Sequence, residues 1–138
     1  MESVTLSRRV DADPDTVEDA MADLEPFLAA SGFDDVTVDD GRIHIENRVG
    51  VFGIELDLEV IDREGTVLAY RQRDGIFREM ATEYELEPVA GGTEVTARTD
   101  FEVAARFAGP VLDATVIKRQ RKRELRGQFD YLDALPAE

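Results

Sequence analysis

The chain has 138 residues, of which 31 are acidic and 16 are basic, so it carries a net charge of −15, and it contains no cysteine. This length is that of one domain with a hydrophobic core. The absence of cysteine excludes disulfides and thiolate metal sites, and the acidity argues against nucleic-acid binding by the protein as a whole. No apolar window of about 18 residues and no apolar signal-peptide core is present, so we expect a cytoplasmic protein without a membrane span.

The surplus of acidic residues is spread along the whole chain, whereas Lys118 and Lys122 are its only lysines. Dispersed carboxylates with scarce lysine are typical of proteins from a salt-loaded cytoplasm, because carboxylates keep a protein hydrated while salt screens their mutual repulsion. The alternative is an acidic protein from a mesophile. We interpret the chain as halophilic and expect its folding to depend on salt.

The first third of the chain predicts one strand followed by two short helices. Residues 2–10 alternate between apolar and polar side chains, which indicates a strand. Asp13 suits a helix N-cap and Pro14 suits the first helical turn. Pro26 is expected to divide the helical segment in two, and Ser31 with Gly32 ends it.

The middle of the chain is a run of strands separated by turn residues. The connections between them are too short for crossovers, so the sheet is predicted to be antiparallel. One face of each strand is polar, and the other must be covered. The predicted strands span residues 34–39, 42–49, 54–60, 67–73, 77–87 and 93–103.

One long helix is predicted over residues 109–135, opened by Gly109-Pro110 and closed by Leu135-Pro136. At 100° per residue, one face is apolar but is interrupted by polar side chains. Because this helix is the one element long enough to cover the sheet, the interruption suggests that it closes over a cavity. The apolar members of the face are Val111, Ala114, Ile117, Leu125, Phe129, Leu132 and Leu135, and the polar members are Lys118, Arg121 and Gln128.

Three segments resemble the helix-grip superfamily, the START-like or SRPBCC group that includes polyketide cyclases, lipid-transfer domains and coenzyme Q-binding proteins. Residues 8–17 resemble its first strand-to-helix joint, residues 21–27 its short helices, and residues 107–111 the approach to its last helix. The resemblance covers residues 1–138 as one domain. It implies an α+β fold, in which a curved antiparallel sheet of six or seven strands grips the C-terminal helix around a cavity. Members usually bind hydrophobic small molecules or lipids, and some catalyse cyclisation or dehydration.

The candidate ligand site is the space between the sheet and this helix. A few polar groups in an apolar chamber are the usual composition of a ligand site, although a filled core with satisfied hydroxyls is the alternative. Arg121 is expected to anchor the polar end of an acidic amphiphile, and Arg121→Met is expected to keep the fold. The polar candidates are Arg121, Tyr84, Tyr70, Thr82 and Thr99. The apolar candidates are Phe52, Leu56, Leu58, Met80, Leu86, Phe101, Ile117 and Leu125.

Other chemistry-bearing features give weaker signals. His44 is the only histidine, and its position in an alternating strand predicts that it faces solvent rather than acting as a base. The basic residues of 118–126 are interpreted as surface charge that pairs with carboxylates, with an anionic ligand or nucleic acid as alternatives. No catalytic residues, metal ligands or cofactor are predicted.

Three functions remain open from the sequence. The leading hypothesis is binding or transport of a hydrophobic or amphipathic small molecule, such as a lipid, quinone or polyketide-like compound. The alternatives are a cyclase or dehydratase that uses cavity tyrosine and arginine residues, and a protein-interaction module without an open cavity. An enzyme requires a titratable group with an orienting neighbour, whereas a carrier requires volume. No oligomeric state is predicted.

Overall fold

Seven strands form one antiparallel sheet in the computed structural model, which describes residues 1–105 and 113–136. The order across the sheet is β1-β7-β6-β5-β4-β3-β2. Each predicted strand is confirmed to within two residues at either end. The strands are β1 (Glu2–Val10), β2 (Asp35–Asp39), β3 (Arg42–Val49), β4 (Phe52–Val60), β5 (Leu68–Asp74), β6 (Phe77–Val89) and β7 (Gly92–Val103).

The inner face of the sheet carries the core. Every second residue is buried from Met80 to Tyr84 in β6 and from Thr93 to Phe101 in β7, as period-2 alternation requires. The register places Thr82 opposite Thr99 and Tyr84 opposite Ala97 on this face. Polar side chains therefore enter the interior at defined positions between apolar neighbours.

Two short helices connect β1 to β2, as predicted, but they divide at a different residue. Helix α1 spans Pro14–Ala22 and helix α2 spans Leu24–Ala29, so the break falls at Asp23 rather than at Pro26. Pro26 lies in the first turn of α2, where a missing backbone N–H removes no helical hydrogen bond.

Helix α3 (Ala114–Asp133) covers the inner face and contacts β1, β7 and α2. Its N-cap is Asp113, whose side chain accepts a hydrogen bond from the Val116 N–H at 2.9 Å. Asp113 has extended backbone angles, so the predicted helix start was wrong; Gly109, Pro110 and Val111 themselves lie outside the described residues. No helix in the described part of the chain is both long and apolar enough to cross a membrane.

A glycine inside α3 sets how closely the helix approaches α2. A Cβ atom added to Gly127 would overlap the carbonyl oxygen of Ala30, at the end of α2. Glycine in a helix interior costs about 1 kcal/mol relative to alanine, so its presence here is explained by close packing. The approach brings the inner face of α3 next to Ser31.

Candidate functional site

A buried ion pair lies on the face of α3 that meets the sheet. Arg121 is 5 % exposed and Glu124 is 4 % exposed. An Nη1 hydrogen of Arg121 is donated to Oε1 of Glu124, and Gln120 donates to the other carboxylate oxygen at 3.1 Å. Burial by itself lowers the pKa of Arg121, but Glu124, Tyr70 and Tyr84 together outweigh burial, so the pKa is raised. The guanidinium is therefore charged at any ordinary pH.

The sheet supplies the second half of this arrangement. Nη2 of Arg121 donates to the hydroxyl oxygens of Thr82 at 3.1 Å and Thr99 at 3.3 Å. The two hydroxyls are 2.9 Å apart, because their strands place them directly opposite each other. We call the group formed by Arg121, Glu124, Thr82 and Thr99 the arginine centre.

One donor of the arginine centre lacks an acceptor. Nε of Arg121 is buried and has no hydrogen-bond partner among residues 1–105 and 113–136. Arg121 also lines a cavity of about 30 Å³, which is room for about one water molecule. The walls of the cavity are Phe33, Asn47, Val49, Ile54, Leu56, Ile76, Phe77, Ile117, Gln120, Arg121 and Glu124.

A second group of buried polar side chains lies further along α3. The Tyr84 hydroxyl donates to Oε1 of Gln128 at 2.6 Å, and the Gln128 amide donates to Ser31 Oγ at 2.7 Å. The Tyr70 hydroxyl lies 3.1 Å from that of Tyr84. Burial, and then the neighbouring Tyr70, raise the pKa of Tyr84 well above its ordinary value. We call Tyr84, Tyr70, Gln128 and Ser31 the tyrosine centre.

The structure brings together only part of the predicted site. Arg121 contacts Thr82 and Thr99, and Leu56 and Ile117 line the cavity beside them. The remaining predicted residues are buried, but they lie in the tyrosine centre or in packed core outside the cavity walls: Tyr70, Tyr84, Leu58, Met80, Phe101 and Leu125. The site residues as a set stay a prediction.

Two predicted wall residues are placed differently. Phe52 is 39 % exposed, because it begins β4 beside the hairpin turn at Gly50 and Val51, at the end of the strand pair. Leu86 is half-buried and packs against the edge of the core. The cavity walls missed from the sequence include Phe33, Asn47 and Phe77, which no periodicity connects to α3.

The basic residues of α3 do not pair as expected. Lys118 contacts Glu2 at 3.5 Å, and Arg121 contacts Glu124. Within the described ranges, no carboxylate lies within 4.0 Å of the exposed side chains of Arg119, Arg123 and Arg126. Within this part of the chain, the predicted pairing of these three arginines with neighbouring carboxylates is not observed.

Comparison with known proteins gives a family match over nearly the whole chain. The family described as "Polyketide cyclase / dehydrase and lipid transport" matches residues 1–135. No curated protein matches the sequence.

Solved structures share the architecture at low identity. The Zhui aromatase/cyclase from a Streptomyces species is 17 % identical with a TM-score of 0.76, covering 96 % of this chain and 93 % of its own. A protein from Thermus thermophilus is 16 % identical with a TM-score of 0.74, covering 95 % and 97 %. A START superfamily protein from Mycobacterium smegmatis is 13 % identical with a TM-score of 0.73, covering 95 % and 94 %. At these identities the likeness shows the helix-grip fold alone.

Proposed function

The chain belongs to the polyketide cyclase/dehydrase and lipid transport family, and from that membership we propose that it binds an apolar small molecule between the sheet and α3. The ligand carries a neutral carbonyl or hydroxyl oxygen, as quinones and polyketide-like compounds do. The arginine centre forms the polar end of the site, and the apolar cavity walls form the rest. An apolar chamber with a few placed polar groups is the usual composition of such sites.

The observation that carries the proposal is that the buried Nε of Arg121, in a side chain that lines the cavity, has no hydrogen-bond partner among the described residues. A buried donor without an acceptor costs about 1–3 kcal/mol. A ligand oxygen that accepts a hydrogen bond from Nε recovers this energy. The rest of the ligand would then contact the mostly apolar walls of the cavity. Binding there is thus favoured by both halves of an amphipathic molecule.

Glu124 decides the charge of the ligand. Because Glu124 and Arg121 neutralise each other, the arginine centre has no net charge to offer an anion. A ligand carboxylate would be desolvated without a free counter-charge, which is costly. We therefore replace the expected acidic amphiphile with a ligand whose polar end is neutral.

The size of the cavity sets a further condition. Its volume of about 30 Å³ is roughly a tenth of the smallest usual ligand pocket, which is about 300 Å³. Binding therefore requires α3 and the facing strands to separate, so the ligand selects a less populated open state. The apparent affinity is reduced by the fraction of molecules that are open.

The protonation states of the buried groups support binding rather than catalysis. A general acid or base works best with a pKa near the operating pH. The pKa of Arg121, which lines the cavity, is raised, away from neutrality. The cavity therefore suits a carrier better than the cyclase or dehydratase that the sequence left open.

Two probes of similar size test the proposal, 1,4-naphthoquinone and 2-naphthoate. Titration of the ¹⁵N-labelled protein followed by NMR is expected to show saturable shifts of the Thr82 and Thr99 amides with the quinone. The naphthoate is expected to bind at least tenfold more weakly, because its carboxylate meets a neutral ion pair. The double variant R121M/E124L is expected to lose this preference.

Tyr84→Phe serves as the matched control, because it removes a buried hydroxyl from the tyrosine centre and leaves the arginine centre intact. It should keep the preference for the quinone. Stronger binding of the naphthoate would contradict the neutral polar end. Absence of saturable binding by either probe would contradict the ligand site and favour a protein-interaction module.

A further inference from the structure

The outer face of β3 and β4 brings an imidazole and three carboxylates together. The register places His44 opposite Asp57 and Glu46 opposite Glu55. Nε2 of His44 lies 3.8 Å from Oε2 of Glu46 and 3.6 Å from Oε1 of Glu55. Because Glu55 is on the neighbouring strand, this grouping is not visible as a ligand spacing in the sequence.

Two of these distances are close to those that a bound metal ion requires. Zinc sits about 2.0–2.2 Å from nitrogen and carboxylate oxygen ligands, so two ligands at the tetrahedral angle are about 3.4 Å apart. The two Nε2-to-oxygen distances are within a few tenths of an ångström of this separation. The ligand atoms of His44, Glu46 and Glu55 all lie within 4.8 Å of one another.

The fourth group orients the histidine. Nδ1 of His44 lies 2.7 Å from Oδ1 of Asp57, and a carboxylate at one ring nitrogen fixes the imidazole and directs the other nitrogen towards a metal. Asp57 thereby leaves Nε2 facing Glu46 and Glu55. These two glutamates are directly opposite each other, a destabilising placement for like charges that a cation would relieve.

We propose that His44, Glu46 and Glu55 bind a divalent transition-metal ion of the Zn²⁺ kind on the outer face of the sheet. Asp57 is the positioning residue, and water completes the coordination. One nitrogen and two oxygen donors suit Zn²⁺ and related ions better than Mg²⁺, which prefers oxygen and retains its own water. This site lies on the opposite face of the sheet from the arginine centre and does not depend on the proposed ligand binding.

Calorimetric titration of the intact protein with ZnCl₂ in KCl tests the proposal. The bond to Asp57 raises the pKa of His44, so a proton competes for the site and the titration is done at about pH 8, above the usual histidine range. We expect saturable binding of one ion per chain. His44→Gln should weaken it at least tenfold, and Asp57→Asn should weaken it by about 10–100-fold.

A matched control separates this site from general attraction to an acidic protein. Glu87 and Glu94 are also directly opposite each other, on β6 and β7, but they are not part of the histidine-containing group. E87Q/E94Q should leave Zn²⁺ affinity unchanged, whereas E46Q/E55Q, which removes the same charge, should abolish saturable binding. Equal losses in both double variants, retained binding in His44→Gln, or no saturable binding at all would overturn the proposal. The ¹⁵N shifts of the imidazole should identify Nε2 as the ligand atom.

Discussion

The arginine centre and the tyrosine centre are buried under the same helix, yet they are completed differently. Arg121 and Gln128 are seven residues apart, so both side chains project from the inner face of α3. In the tyrosine centre, Gln128 bonds on one side to Tyr84 and on the other to Ser31. In the arginine centre, Nε of Arg121 has no partner among the described residues, and the cavity borders the same side chain.

The difference indicates separate roles for two similar-looking polar groups. A buried polar network in which every group is hydrogen-bonded rigidifies the packing around it. A network with an unsatisfied donor lowers the stability of the folded state. We infer that the tyrosine centre fixes α3 against α2 and the sheet. The arginine centre retains an unsatisfied buried donor, and a ligand oxygen that accepts from it would remove this energetic penalty. Substitutions in the two centres should therefore change different measurable quantities.

The largest expected effect comes from breaking the ion pair of the arginine centre. Glu124→Leu leaves a buried guanidinium with only hydroxyl partners, so we expect the free energy of unfolding to fall by about 3–5 kcal/mol. The sequence predicted that Arg121→Met alone would keep the fold. We now expect this variant to be destabilised too, because it leaves the buried Glu124 carboxylate without a counter-charge. Urea unfolding at constant KCl measures both.

The control for this prediction is R121M/E124L, which replaces the pair with apolar side chains. It should recover most of the lost stability, or exceed that of the parent protein. A loss in the double variant as large as the sum of the two single losses would mean that the residues act independently. The ion pair would then not explain their burial.

The sequence was sufficient for the strands but not for the arginine centre. Alternation located β6 and β7, and helical arithmetic placed Arg121 on the inner face, because both follow from periodicity. Glu124 was missed because a carboxylate inside a basic run looks like a solvent-facing residue. Only the packed structure shows that the Arg121 side chain contacts Glu124 three residues later. The cavity walls from β3 and β4 depend on sheet curvature, which no local pattern encodes.

Gly127 shows where a usable signal was overlooked. A glycine inside an otherwise good helix, with no cap to form, indicates close approach of another backbone. Gly127→Ala is expected to lower the free energy of unfolding by about 2 kcal/mol, because overlap with the Ala30 carbonyl outweighs the gain in helix propensity. The displaced helix should also lengthen the bond between Gln128 and Ser31.

Thermal unfolding monitored by circular dichroism checks this prediction, with Gly65→Ala for comparison. Gly65 also lacks a side chain, but it lies in a turn with φ at +83° and open space around it. Its substitution should cost backbone strain without moving α3. If Gly127→Ala were instead stabilising, α3 would not be held as close to α2 as the structure shows.

The smallest expected effect concerns the tyrosine centre at high pH. Tyr84→Phe should lower the free energy of unfolding by only about 1 kcal/mol at neutral pH, since it removes one hydroxyl and leaves the Gln128 oxygen without its donor. The pKa of Tyr84 is raised in the folded protein, whereas in the unfolded chain it is about 10. The folded state therefore holds its phenolic proton at pH values where the unfolded state has released it.

The sign of the pH dependence follows from this difference. Above about pH 10 the unfolded chain binds fewer protons than the folded protein, so the free energy of unfolding falls as pH rises, and below that pH the contribution of Tyr84 is constant. We expect the parent protein to lose stability between about pH 10 and 11 more steeply than Tyr84→Phe does. Urea unfolding across this range gives the two slopes. Parallel slopes would mean that water reaches the Tyr84 hydroxyl. The tyrosine centre would then not be a fully bonded network that excludes solvent.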